Sequence, residues 1–198
     1  MADGCDCVIT YEPVQFWVRA LASDGAEVPG LDWYKSDSIV DFDISPEIEK
    51  GAEKLLRCGG VIKNVMKEPD ELKGATLKVT MCCQNAVMED IINGSVGTVI
   101  FDASSPPCAI GYEEPTLAEQ ANARPFEVEL WLKHVEGSST VGYKMIHFFY
   151  ALPTFLSEKG TQQDYTMPDF TISCTENANY GVGTPMPVRK WQVYSSIP

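Results

Sequence analysis

Strict alternation of apolar and polar side chains over residues 126–133 constrains this chain more than any other feature. Phe126, Val128, Leu130 and Leu132 fall on one side of an extended backbone, and Glu127, Glu129, Trp131 and Lys133 on the other. Successive side chains point to opposite faces of a strand, whereas a helix repeats every 3.6 residues, so the segment reads as a strand with one face in a core. The same period recurs at residues 39–44, where Val40, Phe42 and Ile44 alternate with Asp41 and Asp43. It recurs again at 77–81, where Leu77, Val79 and Met81 alternate with Lys78 and Thr80. Further strands are expected at 143–150, after a turn at Gly137-Ser138-Ser139, and at 170–175, after Pro168.

Two segments carry helical spacing instead. Residues 86–93 are apolar on one side and stop at Gly94, a residue suited to the position just past a helix end. Residues 46–57 follow Ser45, a possible N-cap, with Ile48, Ala52, Leu55 and Leu56 at helical intervals. Gly51 and the strand-rich surroundings weigh against that second helix, so helix and strand both stay open there. Loops are expected at 23–36, 67–73 and 103–124, the last carrying Pro106, Pro107 and Pro115. The chain therefore reads as mainly β: one antiparallel β-sandwich or rolled barrel spanning 1–198, with one short α-helix and long loops. An N-terminal arm is expected over about 1–37, and the long loop over about 103–124.

Composition narrows the function. A length of 198 residues with 44% hydrophobic residues suits one folded domain. The formal net charge of −13 repels phosphate and disfavours a groove that grips DNA. The start of the chain has no basic flank before an apolar run, so no secretory signal is expected, and residues 145–156 are too short an apolar stretch to span a bilayer. Seven cysteines without an export signal suggest free thiols in a reducing cytoplasm. Cys5-Asp6-Cys7 and Cys82-Cys83 are spaced too closely for a tetrahedral zinc site, and the only histidines, His134 and His147, have no ligand at metal spacing. Gly59-Gly60, Gly94-x-x-Gly97 and Gly181-x-Gly183 read as turns, not phosphate loops. No pattern for catalysis, cofactor or metal emerges. Trp131, on the polar side of its strand, fits either a contact with another subunit or a strand covered on both faces.

Several motifs, taken in order, resemble the major tail proteins that form the tail tube of long-tailed (siphovirus-type) bacteriophages. Residues 69–80, PDELKGATLKVT, resemble that family's strand start. Cys82-Cys83-Gln84-Asn85 and a short helix ending Ile91-Ile92-Asn93-Gly94 follow, as in the family. Ile110-Gly111-Tyr112-Glu113-Glu114-Pro115 resembles the loop before a strand that here is Glu127-Val128-Glu129-Leu130-Trp131. Phe148-Phe149-Tyr150-Ala151-Leu152-Pro153, Phe170-Thr171-Ile172 and 177–183 resemble the closing strands and their loop. The resemblance covers about 38–187, and in the family pattern residues 52–65 are strand-like.

The resemblance implies a structural virion protein and not an enzyme. Its subunits form hexameric rings that stack by self-assembly into a hollow tube, through which double-stranded DNA passes on ejection. It implies assembly in the host cytoplasm, partners among the tape measure, tail terminator and tail tip proteins, no cofactor, and no membrane. Glu127, Glu129, Asp41 and Asp43 are then candidates to line the channel, where an acidic wall lets DNA slide. Tyr112, Glu113, Glu114 and Arg124 are candidates for ring stacking, with Trp131 for contact between subunits. The alternatives are another tail component such as a terminator, the tube of a secretion device, a monomeric carbohydrate-binding β-sandwich using Trp131 or Trp33, and a hydrolase relying on His134 or His147.

Overall fold

In the computed structural model, which describes residues 10–58, 61–83, 85–136, 139–154, 167–180 and 185–198, the alternating segment opens an eleven-residue strand, Phe126–Glu136. Along the chain come β1 (Thr10–Ala20), β2 (Tyr34–Ser36), β3 (Ile39–Glu49), β4 (Glu53–Cys58), β5 (Val61–Lys67) and β6 (Glu71–Met81). Then follow α1 (Ala86–Ile92), β7 (Thr98–Phe101), β8 (Ala109–Glu113), α2 (Leu117–Gln120), β9 (Phe126–Glu136), β10 (Ser139–Ala151), β11 (Asp169–Thr175) and β12 (Lys190–Tyr194). The turns expected at Gly59-Gly60 and Gly137-Ser138, the glycines Gly181 and Gly183, and the thiols of Cys5 and Cys7 lie outside the described residues.

One antiparallel sheet runs in the order β2-β1-β9-β10-β11-β6-β3, with β12 paired to β10 off that path. It folds over on itself at the end of β10. That strand pairs with β12 along Tyr143–His147, then meets β11 at Ala151↔Cys174. A register shift between Phe148 and Ala151 marks the bend, as a bulge does when it turns a strand. The result is a β-sandwich: β2, β1, β9, β10 and β12 form one layer, and β11, β6 and β3 the other.

The core is the alternation made physical. Phe126, Val128 and Leu130 are fully buried on β9, beside Phe16 and Val18 of β1 and Phe148 of β10. Leu77, Val79, Phe170 and Ile172 meet them from the other layer, and Met88 and Ile92 of α1 join the same cluster. Each such side chain contributes about 1.5–3 kcal/mol by leaving water. Helix α1 begins where Asn85 accepts hydrogen bonds from the backbone N–H groups of Val87 and Met88. It ends at Gly94, whose φ of +94° reverses the chain.

One open choice is settled and three expectations are corrected. Residues 46–57 are strand and not helix: they finish β3 and form β4, because their partners β6 and β5 supply ladders along both stretches. Residues 10–20 are not part of an arm; β1 pairs with β9 from Thr10 to Ala20 and buries Phe16 and Val18. The stretch 103–124 is not a plain loop, since it holds β8 and α2, and β8 pairs with β7. Val40 is exposed, because a bulge between Ile39 and Asp41 shifts the pattern and Ile39 takes the buried place.

Candidate functional site

The polar side of β9 does not face solvent. Neighbouring strands place Arg19 opposite Glu127, Trp17 opposite Glu129 and His147 opposite Glu129. Arg19 Nε donates to Glu127 Oε1 at 2.5 Å, and Arg19 Nη2 to Glu27 Oε1 at 2.7 Å. His147 Nε2 lies 2.9 Å from Glu127 Oε2, and its Nδ1 3.8 Å from Glu129 Oε1. Rings close the cluster: Phe149 stacks on His147 at 4.0 Å, Tyr180 packs edge-on against both, and Trp33 covers His147 and the Arg19 guanidinium.

The electrostatics follow from this burial. Loss of water works to lower the pKa of Arg19, but the bonds to Glu127 and Glu27 outweigh it and the net shift is upward. Desolvation raises the carboxyl of Glu129 above its ordinary range, opposed by His147. Desolvation, then the Glu127 charge, raises the Tyr180 phenol. Both nitrogens of His147 face carboxylates, so the cluster acts chemically as a charge clasp. It fixes the segments carrying Glu27, Trp33 and Tyr180 to the back of the sheet.

These facts correct three sequence-based roles. Glu127 is 0% exposed and Glu129 is mostly enclosed, so within this subunit neither lines a channel. Trp131 is 1% exposed and packs between Trp17 and Tyr194, each with ring centroids 5.2 Å away, so it contacts its own chain. The strand is covered on both faces, and the signal for it was the aromatic content of the covering segments. Asp41 and Asp43, in contrast, are exposed on β3, a strand at the end of the sheet order.

The ring-stacking candidates gather on and beside the β7–β8 hairpin. Tyr112 is half-buried and its hydroxyl accepts from Asn93 Nδ2 at 3.1 Å, while Glu113 and Glu114 are exposed. Arg124 is exposed beyond α2, tied down by its backbone N–H bonding to Gly94 O. Asp102 orders the hairpin tip, accepting from the Ser104 hydroxyl at 2.6 Å and the Cys108 N–H at 2.8 Å. An open cleft of about 370 Å³ between α1 and β8 is bordered by Glu89, Tyr112 and Glu114.

Sequence reasoning missed the exposed apolar residues of this hairpin. Ile100, Phe101 and Ile110 are 45%, 52% and 65% exposed, and Leu117 just beyond is 86% exposed. On β12, Trp191 and Val193 are 63% and 53% exposed. On the hairpin the signal was apolar residues set among prolines and polar residues; on β12 it was the alternation of Lys190 and Gln192 with Trp191 and Val193.

Among the described residues no group of His, Cys, Asp and Glu is arranged to hold a metal ion, and no helix is long and apolar enough to cross a membrane. A scan against protein-family models finds no match to this chain, and a search of curated proteins finds none.

Proposed function

We propose that this protein is a structural subunit of a phage tail tube, assembling with copies of itself into hexameric rings that stack around a channel for double-stranded DNA. The observation that carries the reading is the set of large apolar side chains left in water on the β7–β8 hairpin, Ile100, Phe101 and Ile110. Exposed apolar residues gathered on one hairpin favour a protein partner. Contact between one end of a subunit and a different surface of the next is heterologous and grows into rings or filaments. The motif order of the sequence supplies the phage context. Tyr112, Glu113, Glu114 and Arg124 flank the same hairpin and keep their role in stacking. Asp41 and Asp43 keep theirs in the channel wall, where negative charge keeps DNA mobile.

Negative-stain electron microscopy of the purified protein, concentrated and incubated for days, tests the reading. Hollow rings or tubes with sixfold end views are expected. A protein that remains monomeric at every concentration rejects it.

A further inference from the structure

Among the described residues three strands of the folded sheet, β2, β3 and β12, pair on one side only, and two of them, β3 and β12, carry opposite charge. β3 closes one layer, and among the described residues nothing pairs with its outer side. Residues 36–49 contain Asp37, Asp41, Asp43, Glu47 and Glu49 and no basic residue. β12 pairs with β10 on one side only. It begins at Lys190, directly after Arg189; both are exposed, and they are the only two adjacent Lys or Arg residues in the sequence.

The two faces match as well as the charges do. On β12, Trp191 lies opposite Ile146 and Val193 opposite Lys144, on the core side of the sheet, yet both are exposed because the second layer does not reach them. Lys190 and Gln192 point to the back, opposite His147 and Met145. On β3, Phe42 and Ile44 face the core opposite Val79 and Leu77, and are only half-buried. Asp41 and Asp43 point to the back.

We propose that β12 of one copy adds to the free edge of β3 of the next, continuing the sheet from subunit to subunit. This addition sets Trp191 and Val193 against the row of Phe42 and Ile44, and Lys190 against Asp41 and Asp43. Main-chain hydrogen bonds hold the strands, and side chains select the partner. The exposed ladder of β3, a liability in a lone subunit, becomes the joint. The five residues of β12 cover about half of the eleven of β3, so part of the acidic edge stays free. Like-charged edges repel, so β3 does not pair with β3, and the contact is head to tail, as a ring requires. The inference rests on the self-assembly proposed above and assigns its lateral contact.

A charge-swap experiment tests it. One variant carries Asp41→Lys and Asp43→Lys, so the stretch of β3 that meets β12 is basic, as β12 itself is. The other carries Arg189→Glu and Lys190→Glu, so β12 is acidic, as β3 is. All four side chains are exposed, and circular dichroism checks that each variant folds like the parent. Assembly is read by light scattering and electron microscopy. The expected result is that the parent assembles, each variant alone stays monomeric, and an equimolar mixture assembles with the two alternating, which an even-numbered ring permits. Variants that assemble alone like the parent overturn the edge contact and leave the tube reading standing. A mixture that stays monomeric while the parent assembles also overturns it. A parent that never assembles overturns both.

Discussion

Glu127 is the residue whose surroundings decide most. Its carboxylate is fully enclosed and bonded to Arg19 and His147. Removing one partner of a buried ion pair leaves the other charged and desolvated, so Glu127→Ala should cost about 3–5 kcal/mol of unfolding free energy in urea. Glu27 meets the same arginine from an exposed position, and Glu27→Ala should cost less than about 1 kcal/mol. Glu129 works in the opposite sense. Burial raises its carboxyl, so the folded state holds that proton more tightly than the unfolded chain does. The resulting penalty is present above the folded pKa and is relieved as pH falls through it. Glu129→Gln keeps an acceptor for the Trp131 indole N–H, and does not titrate. It should be more stable than the parent at pH 7, with the advantage shrinking as pH falls to 4, measured by thermal melts across that range.

At the scale of elements, the end of α1 shows how one position governs a junction. Gly94 has φ +94°, and a Cβ there would lie 2.6 Å from the Ala123 Cβ and 2.9 Å from the Arg124 nitrogen. Gly94→Ala therefore suffers both left-handed strain and a backbone clash. It should destabilise by about 2 kcal/mol or more in a thermal melt, since the chain after α2 must move away. This turn was legible in the sequence because a glycine stood just past an apolar helical stretch. The strand at 46–57 was only half legible: its spacing fits a helix while its surroundings favour a strand, and pairing with β6 and β5 decides the matter. β1 went unrecognised for a related reason. Phe16, Trp17 and Val18 are buried in succession because the strand is covered on both faces, which erases the alternation that marks a half-buried strand.

At the scale of the whole molecule, folding and association should separate. Phe101 and Ile110 sit on the hairpin, outside both hydrophobic clusters. Phe101→Asp with Ile110→Asp should leave the melting temperature within about 2 °C of the parent, the shift expected of a change well under 1 kcal/mol. The same pair should abolish growth beyond single rings in electron micrographs. Normal tubes from that variant would remove the hairpin from the stacking contact. The clasp behind β9 ties the segments carrying Glu27, Trp33 and Tyr180 to the back of the sheet.

Sequence alone determined a mainly antiparallel β fold, the inward face of β9 and β6, the strand β11 and the position of α1, because one buried face imposes period two and a capped apolar turn imposes 3.6. The exposure of Asp41 and Asp43 followed from the same alternation. Only the tertiary structure decided what lies on the back of the sheet. Alternation says that Glu127, Glu129 and Trp131 leave the core, but not whether water or other parts of the chain receive them. That depends on contacts between residues far apart in sequence: Arg19 reaches Glu127, and Tyr180 reaches His147. The free edges of β3 and β12 were hidden for the same reason, since a strand is an edge only by virtue of which partners the rest of the fold denies it.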